Sequence, residues 1–294
     1  MANPKALDKR RKSIRNIRKI TRTMELIATA RFKKAMDRAS AATAFTSRMT
    51  KLVQDLLASG LEVHHPLLEE REAVRNVTLL VLTANRGLCG GFNGNLVRAA
   101  LARWRELTRD VPECRLEIAG KRGIAAFKFR GSPADLAFTH FEDKPAFNEV
   151  DVLANRYLQE YESGELDRLD VVYMKFRSIS RQEVAVETML PLGSLAAEGE
   201  AKTAGGAQSQ YEFLPSPASI LEEVVPTSFK VKLFKCFLDA AVSEQVARMV
   251  AMKAATKSAG DRIRQLSMAY NRARQSQITG EIMEIIGGVE ALKK

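Results

Sequence analysis

Residues 247–276 read ARMVAMKAATKSAGDRIRQLSMAYNRARQS, and the spacing of their apolar and small side chains decides the fold. Met252, Ala255, Ala259, Ile263, Leu266, Tyr270 and Ala273 make six steps in 21 residues, or 3.5 residues per step. That period is the seam of a helix wound around another helix, narrower than the apolar face of a globular helix. The run lies in a longer segment, from about Ser228 to Leu292, with no proline after Pro226. At a rise of about 1.5 Å per residue, 65 residues reach roughly 98 Å, beyond the span of one small domain. Such a helix needs a partner along its length.

The other end of the chain supplies it. From Lys5 to Ser59 there are 55 residues without Gly or Pro. A 3–4 alternation runs through Ile14, Ile17, Thr21, Met24, Ala28, Arg31, Ala35, Arg38, Ala42, Phe45, Met49, Leu52 and Leu56, and ten of these thirteen are apolar. This is a coiled-coil signal over six heptads, with Arg31 and Arg38 expected to snorkel to the edge of the seam.

Between the two helices the period changes. Asn76 to Ala84 (NVTLLVLTA) is a near-continuous apolar run, as in a strand buried on both faces. A helix over Asn93–Thr108, a strand over Arg115–Ala119, a helix over Arg122–Phe129 and a strand over Asp135–Thr139 follow. A helix over Glu149–Glu162 and strands over Leu169–Phe176 and Glu183–Leu190, the last two paired as a hairpin, complete the series. The alternation predicts a small, mostly parallel, Rossmann-like α/β sheet with helices on its faces. Ala196 to Ser219, rich in Gly, Ala, Ser, Glu and Pro, reads as a flexible loop. The expected organisation is a helix over 1–60, an α/β domain over 70–195, a loop over 196–219 and a helix over 220–294. A domain inserted between two long helices makes them enter and leave it side by side. They then form a long antiparallel two-helix coiled coil.

Composition narrows the function. Apolar residues make up 46% of the 294, enough for a core, and no window of 18 apolar residues is present to span a membrane. The basic N-terminus resembles a mitochondrial presequence in composition, but its heptads run on into Phe45, Met49 and Leu56 as a structural helix would. Cys89, Cys114 and Cys236 lie far apart, and three histidines give no metal-ligand spacing, so no metal and no disulfide framework are expected. Net charge is +11, and residues 1–38 hold 13 Lys/Arg against Asp8, Glu25 and Asp37. A partner with negative charge is expected there.

The candidate sites are few. Arg86-Gly87-Leu88-Cys89-Gly90-Gly91-Phe92-Asn93 stands where a dinucleotide fold puts its phosphate loop, yet its glycines fit neither GxGxxG nor GxxxxGK[ST]. It reads as a glycine-built turn or contact surface, and no cofactor is expected. Cys89 beside Arg86 lacks a neighbouring histidine, which favours a small buried or turn residue over a reactive thiol. Arg11, Arg15, Arg18 and Arg22 form one basic stripe beside the seam, suited to phosphates or to an acidic protein surface. Phe32 is the only ring in the first 44 residues, so the aromatic interleaving of a single-strand binder is missing. A basic coiled-coil scaffold or nucleic-acid binder is the alternative reading.

Three patches carry a family resemblance. The first is Lys12-Ser13-Ile14-Arg15-Asn16-Ile17-Arg18-Lys19-Ile20-Thr21 with Met24 and Lys33-Lys34-Ala35, and the second is the Arg86–Asn93 turn. The third runs from Ala247 to Thr256, through Tyr270-Asn271-Arg272-Ala273-Arg274-Gln275, to Ile278-Thr279 and Glu281-Ile282. Together they resemble the gamma subunits of F-type ATP synthases. The resemblance implies a non-catalytic central stalk, one copy per complex, with no cofactor and no nucleic acid. Its partners are the alpha and beta subunits of the head, the epsilon subunit and the membrane rotor ring of c subunits. It implies beta-subunit contact at Arg274, Gln275 and Thr279, and acidic levers against Arg11, Arg15, Arg18 and Arg22. An apolar bearing is implied at Ile282, Ile285, Ile286, Val289 and Leu292, and ring or epsilon contact at Tyr211, Phe213, Pro215, Pro217, Arg86 and Cys89. The location implied is the cytoplasmic side of a bacterial plasma membrane. The chain departs from the family where Leu214-Pro215-Ser216-Pro217 replaces a common Glu-Pro-Asp-Pro, and where Lys257-Ser258 replaces Asp-Asn.

Overall fold

The computed structural model describes residues 3–58, 65–69, 71, 73–141, 144–192 and 217–291. The elements in chain order are α1 (Pro4–Ala58), β1 (Asn76–Leu82), α2 (Phe92–Asp110), β2 (Glu113–Ala119), α3 (Lys121–Phe129), β3 (Leu136–Phe138), α4 (Phe147–Glu162), β4 (Arg168–Phe176), β5 (Gln182–Leu190) and α5 (Pro217–Ala291). They divide into two compact units, Ala30–Ala247 and the pair Met1–Thr29 with Arg248–Lys294.

The larger unit is built on one sheet of order β3-β2-β1-β4-β5. The pairs β1·β2, β1·β4 and β2·β3 are parallel, and β4·β5 is the antiparallel hairpin. The apolar run of β1 follows from covering both sheet faces, because successive side chains point to opposite sides. Leu79 and Val81 join Leu116, Ile118 and Val172 beneath α2 and α3, where Leu96, Val97, Ala100 and Phe127 are buried. Leu80 and Leu82 join Leu169, Val171 and Tyr173 on the other face, with Val150, Leu153, Tyr157 and Tyr161 of α4 and Phe229, Leu233 and Phe237 of α5. Each buried Leu, Ile or Phe contributes on the order of 1.5–3 kcal/mol. Further along the same unit, Ala35 and Ala39 of α1 pack on Leu238 and Val242 of α5.

Two expectations change. The last helix begins at Pro217, three residues before the expected 220, and Pro226 lies inside it. An interior proline costs about 3 kcal/mol in a lone helix. Here Val225 and Phe229 on either side of it are fully buried in the sheet's core, which holds the helix through that position. The second change is the seam of α1. Ile14, Thr21, Ala28, Ala35, Ala42 and Met49 face inward as the heptad predicts, and of the expected flank three residues on only Met24 and Arg31 are half-buried, while four residues on the chain turns in further. Glu25 and Ala39 are buried and Phe32 and Thr46 half-buried, whereas Ile17, Arg38, Phe45 and Leu52 are exposed. The alanines and threonines of the inward set permit close helix approach, and the bulkier Ile17, Phe45 and Leu52 lie outside it. Arg38 therefore stands in solvent without needing to snorkel.

Candidate functional site

The smaller unit pairs the first turns of α1 with the far half of α5. Thr256 donates its hydroxyl to Thr21 Oγ1 at 2.9 Å. The Arg18 guanidinium lies 3.9 Å from where a Cβ on Gly260 would stand, and the Arg11 guanidinium lies 4.7 Å over the Tyr270 ring. Numbers fall along one helix as they rise along the other, so the pairing is antiparallel. All seven expected seam residues of α5, from Met252 to Ala273, are buried or half-buried.

The basic stripe is divided by this packing. Arg11 is held against Asp8 at 2.6 Å as well as over Tyr270, and Lys12 and Arg11 keep the Asp8 carboxyl below its usual range. Arg22 meets Glu25 at 2.8 Å. Arg15 and Arg18 are exposed, as are Arg274, Gln275 and Thr279 on α5. Beside the stripe Ile17, Ile20, Leu26 and Ile27 are also exposed, an apolar component that the charge pattern concealed.

The end of α5 stands beyond its partner. Arg11 meets Tyr270 and α1 begins at Pro4, seven residues earlier, so its match on α5 runs out near Gln277. The remaining 14 residues, to Ala291, extend about 21 Å. Ile278, Ile282, Met283, Ile285, Ile286 and Val289 on this end are each between 43% and 67% exposed. Met283 joins the expected stripe, and Leu292 lies outside the described residues.

The glycine turn in the larger unit is a structural device. Asn93 Oδ1 accepts the Ala84 N–H at 3.0 Å, and its Nδ2 donates to Cys89 Sγ at 3.1 Å. Leu88 and Gly90 take φ of 64° and 57°, the left-handed region that a tight turn needs. Cys89 is 2% exposed and packs in the core under α2. This corrects its assignment as a contact residue: burial removes it, and Arg86 with the exposed Leu88 forms the outer surface of the turn. Tyr211, Phe213 and Pro215 lie outside the described residues, and Pro217 is the first residue of α5.

The crest of the sheet, where a doubly wound fold places its ligand, is filled. Phe141 of the connection before α4 and Phe237 and Ala241 of α5 stand over the ends of β1 and β2, leaving about 40 Å³. Gly120 and Gly123 press against Thr83, where a Cβ would come within 2.1 and 2.5 Å of its oxygens. That space suits a water molecule and not a nucleotide. The buried ionisable groups of this unit serve the packing. Asp170 receives the guanidinium groups of Arg103 and Arg168, and Tyr157 donates its hydroxyl to Glu117 at 2.7 Å. Burial, more than the Glu117 charge beside it, pushes the Tyr157 phenol far up, so it stays protonated.

Comparison with known proteins agrees with this geometry. A family model described as ATP synthase matches residues 3–292. The chain is 64% identical over 295 residues to the ATP synthase gamma chain of Rhodopirellula baltica, with both chains covered in full. It is 38% identical to the ATP synthase gamma chain of Leptospira biflexa, over 99% of this chain and 100% of that one. Among solved structures, the rotor of the Euglena gracilis mitochondrial ATP synthase aligns with a TM-score of 0.63 at 16% identity, over 94% of this chain and 98% of that one. A second structure of the Euglena enzyme, containing OSCP, F1 and c-ring, aligns at 0.64 and 18%, over 98% and 94%.

Proposed function

The chain belongs to the ATP synthase gamma-chain family, and on that premise we propose how its described surfaces divide the work of a rotor. It is a non-catalytic central-stalk subunit of an F-type enzyme, carrying torque between the membrane rotor ring and the catalytic beta subunits. No finding supports the alternative of a free-standing scaffold or nucleic-acid binder.

In our reading Arg15 and Arg18, with the exposed Ile17, Ile20 and Ile27, meet acidic and apolar levers of the beta subunits. Arg274, Gln275 and Thr279 touch a beta-subunit loop. Arg86 and Leu88 face the epsilon subunit or the rotor ring, the latter shared with Tyr211, Phe213, Pro215 and Pro217. The complex works at the cytoplasmic side of a bacterial plasma membrane, coupled to ion transport. Among the described residues no helix is long and apolar enough to cross a membrane, so attachment runs through partners.

The observation that carries this reading is the exposed apolar end of α5. Large apolar stripes are seldom left bare, and this one lies on a helix that has outrun its own partner. A ring of apolar residues at the top of the alpha–beta head suits it as a bearing, which guides by contact without fixed hydrogen bonds. Deleting 287–294, which starts at the Gly287-Gly288 pair, is expected to leave assembly and most torque intact. Cutting back to Gln277 removes every isoleucine of the stripe and is expected to cost far more. Single-molecule rotation and ATPase rates of both truncations test this, and equal, complete loss in the two would sink the bearing.

A further inference from the structure

The segment that leads from α1 into β1 is held down by a histidine used in its unprotonated form. His65 is 9% exposed, and its Nδ1 accepts the backbone N–H of Leu67 at 3.1 Å. A ring nitrogen that accepts a hydrogen bond carries no proton, so the imidazole is neutral with its proton on Nε2. Leu67 is fully buried in the core between α4 and α5, and its carbonyl accepts the Leu192 N–H at 2.7 Å. One residue thus ties down two departures of the chain from the sheet, the approach to β1 and the exit from β5. Nearby, the Arg71 guanidinium donates to the Tyr161 carbonyl at 2.7 Å, and the Tyr161 hydroxyl donates to the Glu69 carbonyl at 3.1 Å.

The charged groups around His65 act against the bond it makes. Glu69 on its own segment, Glu162 at the end of α4 and Glu222 in the first turns of α5 all favour the imidazolium. Arg71 and Arg75 are the described cations of the segment, and Arg71 is engaged with Tyr161. Protonation at Nδ1 would set an N–H donor against the Leu67 N–H donor and end the bond. Two states are therefore available to one side chain: neutral and bonded to Leu67, or charged and without that bond.

We propose that His65 is a pH-operated latch, whose neutral imidazole fixes Leu67, and through it Leu192, to the core, and whose protonation releases both. Burial pushes the imidazole below its ordinary value, more strongly than Glu162, Glu222 and Glu69 raise it. A group whose basic form is favoured by folding contributes fully above its unfolded value of about 6.5, and that contribution is lost as pH falls through the lower folded value. Acidification would thus loosen the joints at which the chain enters and leaves the sheet while the sheet itself stays intact. The latch stands apart from the rotor assignment, because it depends only on contacts within the larger unit.

Amide exchange read by NMR on the full-length chain tests it. After correction for intrinsic rates, protection of the Leu67 and Leu192 amides is expected to fall about fivefold or more between about pH 7.5 and about pH 5, the loss of one hydrogen bond. Leu80 in β1 serves as a control and should stay constant. His65→Asn keeps an acceptor near the Nδ1 position without a titrating proton, so both amides should stay protected at either pH. His65→Ala should leave both weakly protected throughout. Constant wild-type protection across the range overturns the proposal. So does an acid-induced loss in His65→Asn equal to that of the wild type, which would assign the effect to the carboxylates.

Discussion

The two units of this chain solve opposite problems with segments of the same two helices. The unit Ala30–Ala247 carries 28 Lys/Arg against 29 Asp/Glu and wraps a sheet in apolar side chains on both faces. The unit of Met1–Thr29 with Arg248–Lys294 carries 18 against 6, and among its described residues only Thr21, Glu25, Ala28, Arg248, Met252 and Ala259 are buried. Many of its larger apolar residues, among them Ile20, Leu26, Met268 and Ile285, face outward. One unit uses its apolar surface to stabilise itself. The other keeps much of it exposed, together with all the net positive charge. Helical shape is thereby separated from burial: small residues recur in the seam for close approach, and the large residues outside it are exposed.

The sharpest test of this contrast is Leu80→Asp. A carboxylate placed in a strand covered on both faces costs several kcal/mol, comparable with the 5–15 kcal/mol that holds a domain together. The larger unit is expected to unfold, and near-UV circular dichroism should show it through the buried Tyr157, Tyr161 and Tyr173. A native near-UV spectrum at unchanged melting temperature would mean that the two-faced core does not carry the unit.

A smaller effect separates two positions on α1. Ala28 is fully buried in the seam and Ile17 is 47% exposed, although both lie on the 3–4 repeat. Ala28→Asp should weaken the coil by several kcal/mol, and Ile17→Asp by no more than about 0.5 kcal/mol. Thermal melting followed by helical circular dichroism compares them. Equal losses would return the seam to the flank three residues on.

The mildest expected effect on the chain itself is that of charge. Arg15→Glu with Arg18→Glu changes two exposed side chains and should leave melting unaltered. Assembly with the alpha–beta ring should weaken, most at low ionic strength, where the Debye length is about 30 Å at 0.01 M. Arg98→Glu on the exposed side of α2 in the larger unit serves as the contrast and should leave the salt dependence unchanged. If both reversals weaken assembly alike, the charge asymmetry is not what the partners read.

The element boundaries show where local signals suffice. The hairpin of β4 and β5, the two-faced β1 and the seam from Met252 to Ala273 were all legible, because each repeats a period set by backbone geometry. Counting apolar residues placed Ile17, Arg38, Phe45 and Leu52 in the seam of α1, where the structure leaves them exposed. Glu25 and Thr46 are polar yet turn inward, and Ile17 and Phe45 are apolar yet turn outward. Pro226 lies inside the expected helix, and what offsets its local cost, Val225 and Phe229 packed in the sheet's core, is not written locally. Cys89 could be read as surface or core, and Asn93, four residues on, gave the only local hint by being placed to bond both the turn's backbone and its thiol.

By itself the sequence determined two long helices, a doubly covered parallel sheet between them, the basic end of the coil and the family to which these belong. Those properties are written in repeats of 3.5 and 2 residues and in charge counts, which need no knowledge of what lies across the interface. The tertiary structure decided which flank of α1 faces its partner, how far α5 outruns it, that Cys89 is sealed in, and that His65 accepts a proton donor from Leu67. Each of these depends on contacts between residues far apart in the chain. Burial and hydrogen-bond pairing are settled only when those distant segments meet.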